Sequence, residues 1–163
     1  MQTGRELFVH ELKDMYDAEN KLLNALDNMA DKVSDPKLTE GFEQHREQTQ
    51  GQVKRLERVF ELVGERPQRE TCDGINGLIK EFGSFVNSED PSDEVLNVFA
   101  TSAALKVEHY ELASYKSLIK LAHQAGLREV VELLEQTLNE ELETARELEN
   151  MAIQLGEKLA LTP

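Results

Sequence analysis

The sequence predicts an all-α protein, a bundle of four long helices, and three observations carry that expectation. Four long stretches each repeat apolar residues at spacings of four and three, which places every member of a stripe on one helical face. Gly and Pro are scarce and fall between those stretches. The second and third stretches are separated by a connection long enough to run the length of a bundle.

The first helix is expected from about Thr3, its N-cap, to about Lys32, with the stripe Phe8, Leu12, Met15, Glu19, Leu22, Leu26 and Met29. Ser34-Asp35-Pro36 then supplies a stop, a new cap and a proline at the first helical position. The second helix carries Leu38, Phe42, His45, Thr49, Gln52, Leu56, Val59 and Val63, and ends at Gly64 with Pro67 beyond. From about Glu65 to Pro91 the chain is a connection with one short amphipathic helix, Gly74 to about Val86 or Asn87, whose Ile75, Leu78, Ile79 and Phe82 share a side. Ser92 or Asp93 opens the third long helix, striped by Leu105, Glu108, Leu112, Tyr115, Ile119 and Ala122. Gly126 divides it from the fourth, which runs to about Leu159 on Leu127, Val131, Leu134, Leu138, Glu141, Ala145, Leu148, Ala152 and Leu155. The expected helix spans are about 3–32, 35–63, 74–87, 92–125 and 127–159, within one domain covering 1–163. Two antiparallel hairpins joined by one long crossover, here roughly 27 residues, make the ferritin-like bundle rather than the simple up-and-down one.

Composition limits the function. Thirty-two acidic against 18 basic residues give a formal charge of −14, which repels nucleic acid and anionic membranes and favours cations. That acidity also fits a high-salt cytoplasm, although solvation of helix outer faces, where the excess sits, is the favoured explanation. The basic residues of Val53 to Arg58 alternate with Glu57 and Glu61, the pattern of an ion-paired helix face rather than a nucleic-acid patch. One cysteine, Cys72, excludes an internal disulfide and has no paired Cys or His for zinc. No apolar run approaches a membrane span and the N-terminus lacks a secretory layout, so the expected location is the cytoplasm. Glycine loops for phosphate and the Gly-x-Ser-x-Gly nucleophile motif are missing.

In all four stripes a potential metal ligand interrupts the hydrophobes near mid-helix: Glu19, His45, Glu108 and Glu141. At 1.5 Å per residue, Glu19 and His45 lie level to within roughly 3 Å about their hairpin turn, and Glu108 and Glu141 to within roughly 5 Å about theirs. Burying three carboxylates and an imidazole is costly unless something pairs them, and a metal ion does so. Carboxylates suit hard cations, and the imidazole shifts the choice toward iron, manganese or zinc over calcium. One divalent ion is well served by this set. Two would bring +4 against −3 and call for further oxygen ligands.

The run Lys106 to Tyr115, KVEHYELASY, resembles the signature of the YciF-type family of ferritin-like stress proteins. DAENKLLNAL in the first helix, FEQHREQTQGQVKRLERVF in the second, CDGINGLIKEF in the crossover and LLEQTLNEELETARELENMA in the fourth extend the likeness over nearly the whole chain. The resemblance implies a ferritin-like bundle, a homodimer, a rubrerythrin-like di-metal site and an association with bacterial and archaeal stress responses. Position by position it supports Glu19, His45, Glu108 and Glu141 as ligands. It also marks two departures, Gln48 where relatives carry Glu and Ala145 where they carry Asp. Glu111, Glu140 and Thr144 are candidates to compensate as additional ligands, with a place at the surface or behind the ligands as the favoured expectation, and Gln48 can still offer an amide oxygen. Tyr115 is expected either to fill the core or to donate to a ligand.

These readings lead to two expected functions. One is a redox protein holding one or two iron or manganese ions, with zinc as an adventitious occupant, that reacts with oxygen or peroxide. The other is a non-enzymatic stress or scaffold homodimer that has lost a complete di-metal site. Phe82, Phe85 and Val86 of the crossover helix are expected to be exposed, ready to cover the bundle or to form the dimer interface.

Overall fold

The computed structural model describes residues 1–159, so the last four residues of the expected domain lie outside the described stretch. It consists of α1 (Gly4–Lys32), α2 (Pro36–Leu62), α3 (Asp73–Glu89), α4 (Asp93–Gln124) and α5 (Arg128–Lys158), with no strand among the described residues. The four long helices begin and end within two residues of the expected positions. None is long and apolar enough to cross a membrane.

Local chemistry sets the boundaries. Thr3 and Glu6 form a reciprocal capping box at the start of α1. Asp35 caps α2 by accepting from the Lys37 and Leu38 N–H groups, with Pro36 at the first turn, where the missing N–H costs nothing. Gly64 and Gly126, with φ of +73° and +70°, follow α2 and α4 in the left-handed conformation that glycine adopts without strain. There the Glu65 N–H reaches back to the Phe60 carbonyl at 2.9 Å, and the Leu127 N–H to the Ala122 carbonyl at 3.0 Å.

α1 pairs with α2 and α4 with α5, while α1 also packs on α4 and α2 on α5. Contacts such as Tyr16 to Glu57, Gln52 to Glu141 and Ser34 to Asn97 make all these neighbours antiparallel. α2 and α4 therefore run the same way on one diagonal. The chain must traverse the bundle between them, as the ferritin-like expectation requires.

α3 lies on α4 and α1. Phe82 is buried rather than exposed, and Phe85 and Val86 are half-buried, which corrects the expected exposure of this face. The reason is a stack in which Phe85 and Phe82 meet Phe99 of α4 at centroid distances of 3.7 and 6.1 Å. Covered on one side by the bundle and on another by α3, α4 buries residues well beyond its heptad stripe, including Leu96, Ala100, Ala103, Ala104, Glu111 and Leu118.

The turn between α1 and α2 is held by a buried polar residue from α4. Asn97 accepts from the Ser34 N–H at 2.9 Å and donates to the Ser34 hydroxyl at 3.0 Å. Replacing it with Ala leaves that N–H without its partner. Asn97→Ala is expected to lower unfolding stability by about 1–3 kcal/mol with helical circular dichroism unchanged, as measured by urea denaturation.

Candidate metal centre

The core falls into two apolar clusters along the bundle axis. One gathers Phe8, Leu12 and Met15 with Leu56, Val59, Ile119 and Val131; the other gathers Leu26 and Met29 with Leu38, Phe42, Ala100 and Leu148. Between them, at the level where the four stripes are interrupted, is a polar layer. Glu19, His45, Glu108 and Glu141 are 0%, 7%, 1% and 0% exposed.

The imidazole Nε2 of His45 on α2 lies 3.0 Å from Glu108 Oε1 on the diagonally opposite α4, so this pair spans the centre of the bundle. The other ring nitrogen, Nδ1, is 3.4 Å from Gln48 Oε1, one turn along the same helix. A proton held at Nδ1 toward Gln48 leaves Nε2 as the coordinating atom, the usual division of labour in a metal-binding histidine. Glu141 accepts a hydrogen bond from Gln52 Nε2, and Glu19 accepts one from the Tyr115 hydroxyl. Of the two expectations for Tyr115, the structure shows both together: the ring is fully buried and its O–H is satisfied by a carboxylate of the layer.

Glu111 occupies the less favoured of its two expected places. Favoured at the surface or behind the ligands, with an additional ligand as the alternative, it is 1% exposed, and neither carboxylate oxygen has a hydrogen-bond partner. One ligand atom each from His45, Glu108, Glu111 and Glu141 lie within 4.8 Å of one another. Glu19 shares the layer but stands outside that compact group, tied to Tyr115. The i, i+3 spacing of Glu108 and Glu111 was the available signal, since it turns both carboxylates to neighbouring faces of one helix. A single heptad stripe conceals it because α4 is covered on two sides.

The remaining candidates have other partners. Glu140 is half-buried and clamped by Arg55, whose Nη1 reaches it at 2.8 Å and whose Nη2 completes a bidentate pair. Gln52, which the sequence reading left without a role, bridges Glu140 at 3.2 Å to Glu141. Thr144 donates toward Gln48 Oε1 at 3.2 Å. Gln48 thus orients His45, and Ala145, buried on the same face, offers no oxygen.

Whether a cation fits can be judged from the unsatisfied atoms. Seven buried side-chain polar atoms among the described residues lack a partner, and six belong to this layer: Glu19 Oε2, Gln52 Oε1, Glu108 Oε2, both Glu111 oxygens and Glu141 Oε2. Folded proteins rarely leave such groups unpaired. Five carboxylate oxygens turned into one buried layer beside an imidazole are the hard-oxygen and nitrogen donors that iron and manganese accept.

Without a cation, burial is the main force on these groups. It pushes the Glu19 carboxyl up to about 7, with Glu108 adding to the rise and Tyr115 and His45 opposing it. Burial likewise raises Glu111 and Glu141 well above the carboxylate range, reinforced by the neighbouring carboxylates. For His45 burial acts downward but the Glu108 charge outweighs it, and the imidazole stays protonated to higher pH than usual. A carboxyl whose folded-state value is raised loses stability as pH climbs from its unfolded value toward the folded one, and a raised histidine loses it in the same direction. Chelator-treated protein is therefore expected to lose stability between pH 5 and 8, on the order of 3 kcal/mol from Glu19 alone. Urea denaturation across that range measures it, and a flat or rising profile contradicts the burial of these groups.

Comparison with known proteins agrees with the fold and with the resemblance drawn from the motif runs. Protein YciF of Escherichia coli (strain K12) is 40% identical over 154 residues, which cover 94% of this chain and 92% of that protein. The crystal structure of the E. coli stress protein YciF matches with a TM-score of 0.92 at 39% identity, over 98% of this chain and 100% of that one. YcfI from Rhodopseudomonas palustris matches with a TM-score of 0.88 at 36% identity, over 91% and 94%. Residues 3–160 match the family model described as a domain of unknown function, DUF892, and the chain belongs to that family.

Proposed function

We propose that this protein binds iron or manganese, up to two ions, among Glu19, His45, Glu108, Glu111 and Glu141, and uses them in a reaction with oxygen or peroxide. The observation that carries this reading is the set of unpartnered carboxylate oxygens sealed between two apolar clusters. Glu111 supplies the fourth carboxylate that the sequence count lacked, so two divalent ions bring +4 against −4. Zinc, which takes the same donors, is an adventitious occupant in this reading.

Bound iron or manganese would supply one-electron exchange with an oxidant. The protein's residues do the rest. Glu108 and Glu111 present carboxylates from neighbouring faces of α4, while Gln52 fixes the orientation of Glu141 and Gln48 that of His45. Tyr115 holds its proton against Glu19, and burial of this phenol raises its pKa well above the ordinary tyrosine range, which keeps it a donor. The apolar clusters above and below exclude bulk water, which strengthens each charge interaction in the layer. The same reading takes the working unit as a cytoplasmic homodimer, with neither nucleic acid nor membrane as a partner.

Anaerobic loading with ferrous iron followed by metal analysis is expected to find one to two ions per chain, and peroxide is expected to oxidise them. His45→Ala and Glu111→Ala should each weaken manganese binding more than about tenfold. A protein that retains no metal and shows no oxidation overturns the proposal.

A scaffold function is the second reading, supported by Gln48 and Ala145, which bring no charge to the layer. In that case the double variant Glu19→Leu/Glu141→Leu gains thermal stability over the parent under all metal conditions, because it removes unpaired buried charge. If the site holds metal, the parent is stabilised by added manganese and the double variant is not. Thermal melts with and without manganese separate the two.

A further inference from the structure

An ion that leaves water needs polar partners along its way. The layer is bounded at both ends by apolar clusters, and α3 lies over α1 and α4. Between α2 and α5, by contrast, a file of polar groups joins the layer to the surface. The Glu140 side chain on α5 is 26% exposed, and its Oε2 accepts from Gln52 Nε2 at 3.2 Å. The same nitrogen donates to Glu141, a member of the compact ligand group. Gln52, 0% exposed, is thus the single residue that links a carboxylate in contact with water to one inside the layer. Its Oε1 is buried without a partner, an acceptor on the very amide that joins the two carboxylates. Groups of that kind are rare in folded proteins, and a neutral amide oxygen is a ligand that hard cations accept.

From this juxtaposition we infer that Glu140 is the entry site at which a hydrated divalent cation docks before it reaches the layer, with Arg55 as the cation it displaces and Gln52 as the ligand that passes it to Glu141. The inference rests on the proposed metal binding and names the route of the same ion. Arg55, 23% exposed, covers Glu140 with a bidentate pair and braces itself on the Thr137 hydroxyl at 2.8 Å. Exchange of one cation for another keeps Glu140 paired throughout, so no bare charge is left half-buried. The displaced guanidinium swings on a long stem into water. Rotation of the Gln52 amide about its last bond then presents Oε1 in the volume that Nε2 held, and its donor face no longer opposes the ion. Ions leave by the same steps in reverse.

Manganese alone is the probe, with uptake read as loss of the free Mn²⁺ EPR signal and release as transfer to excess EDTA. Glu140→Gln removes the charge that attracts the ion and is expected to slow uptake and release about tenfold; Arg55→Gln removes the charge that blocks it and is expected to speed both about tenfold. A residue on the path changes the two rates by the same factor, so each variant keeps an affinity near that of the parent. The opposite directions are the signature of a gate. Were the pair only a brace between α2 and α5, breaking it from either side would act alike. The double variant Arg55→Gln/Glu140→Gln leaves neither charge unpaired, and its uptake is expected to be as slow as that of Glu140→Gln, which keeps the test open should a single variant fail to fold. Glu143→Gln and Arg58→Gln make the same charge changes at exposed positions and should leave both rates within about twofold, since salt screens exposed charges. Rates that are unchanged in the single variants, that move in one direction in both, or that the exposed controls move as much, overturn the inference while metal binding stands. A parent protein that takes up no manganese overturns the metal reading itself, and the route with it.

Discussion

Four carboxylates and one imidazole occupy a layer across the middle of the bundle, and no side chain among the described residues neutralises them fully. A carboxylate cannot remain ionised and unpaired in such a place without a large desolvation cost. Protons meet that cost where no ion is bound, and a cation would meet it under the proposed function. Either way the apolar clusters at its two ends keep the four helices in register, because each cluster draws on all four of them. Their packing supplies the stability that lets the layer stay polar.

The crossover depends on another buried acid. Asp17 on α1 accepts from the Cys72 N–H at 2.9 Å and pairs with Arg69 at 2.8 Å and with Lys21 at 2.5 Å. Burial alone would raise this carboxyl, but those partners outweigh it and hold the group below its ordinary value. This anchors the start of α3, where Cys72 is buried with its sulfur 3.1 Å from the Tyr110 hydroxyl. Tyr110 in turn packs so closely on Gly74 that a Cβ there would stand 2.5 Å from its ring, which explains the glycine at that position. A charge satisfied by three donors in this way is structural. The unsatisfied oxygens of the central layer are of a different kind, and the contrast within one protein strengthens the case that something else completes them.

Much of the fold was legible because helix boundaries are written in local chemistry. Thr3, Asp35, Ser92, Gly64 and Gly126 each act where the chain order placed them, and the heptad stripes identified the inward faces of α1, α2 and α5. Glu19, His45, Glu108 and Glu141 were legible for the same reason, as breaks in a regular pattern. What the pattern hid were residues whose burial depends on tertiary neighbours. Phe82 looked available on a short isolated helix, and only the stack with Phe99 covers it. Gln52 sat in its stripe as one more polar interruption, and only α5 shows that its amide orients Glu141. Nor could spacing alone align one hairpin with the other, a register set by Asn97 reaching Ser34 across the bundle.

Glu111 carries this furthest. On a helix with one buried face, a residue three positions after Glu108 is rotated by about 60° and reaches the edge of the stripe, where a glutamate finds water. α4 has no such edge there, because the beginning of the crossover, with Cys72 against Tyr110, closes the neighbouring side. The same long connection that permits α2 and α4 to run parallel thus seals a fourth carboxylate into the layer. In the proposed site Gln48 and Ala145 leave α2 and α5 with one candidate ligand each, and the second carboxylate of α4 gives the charge that two divalent ions would need. Topology, rather than any single stripe, decides how many carboxylates this layer contains.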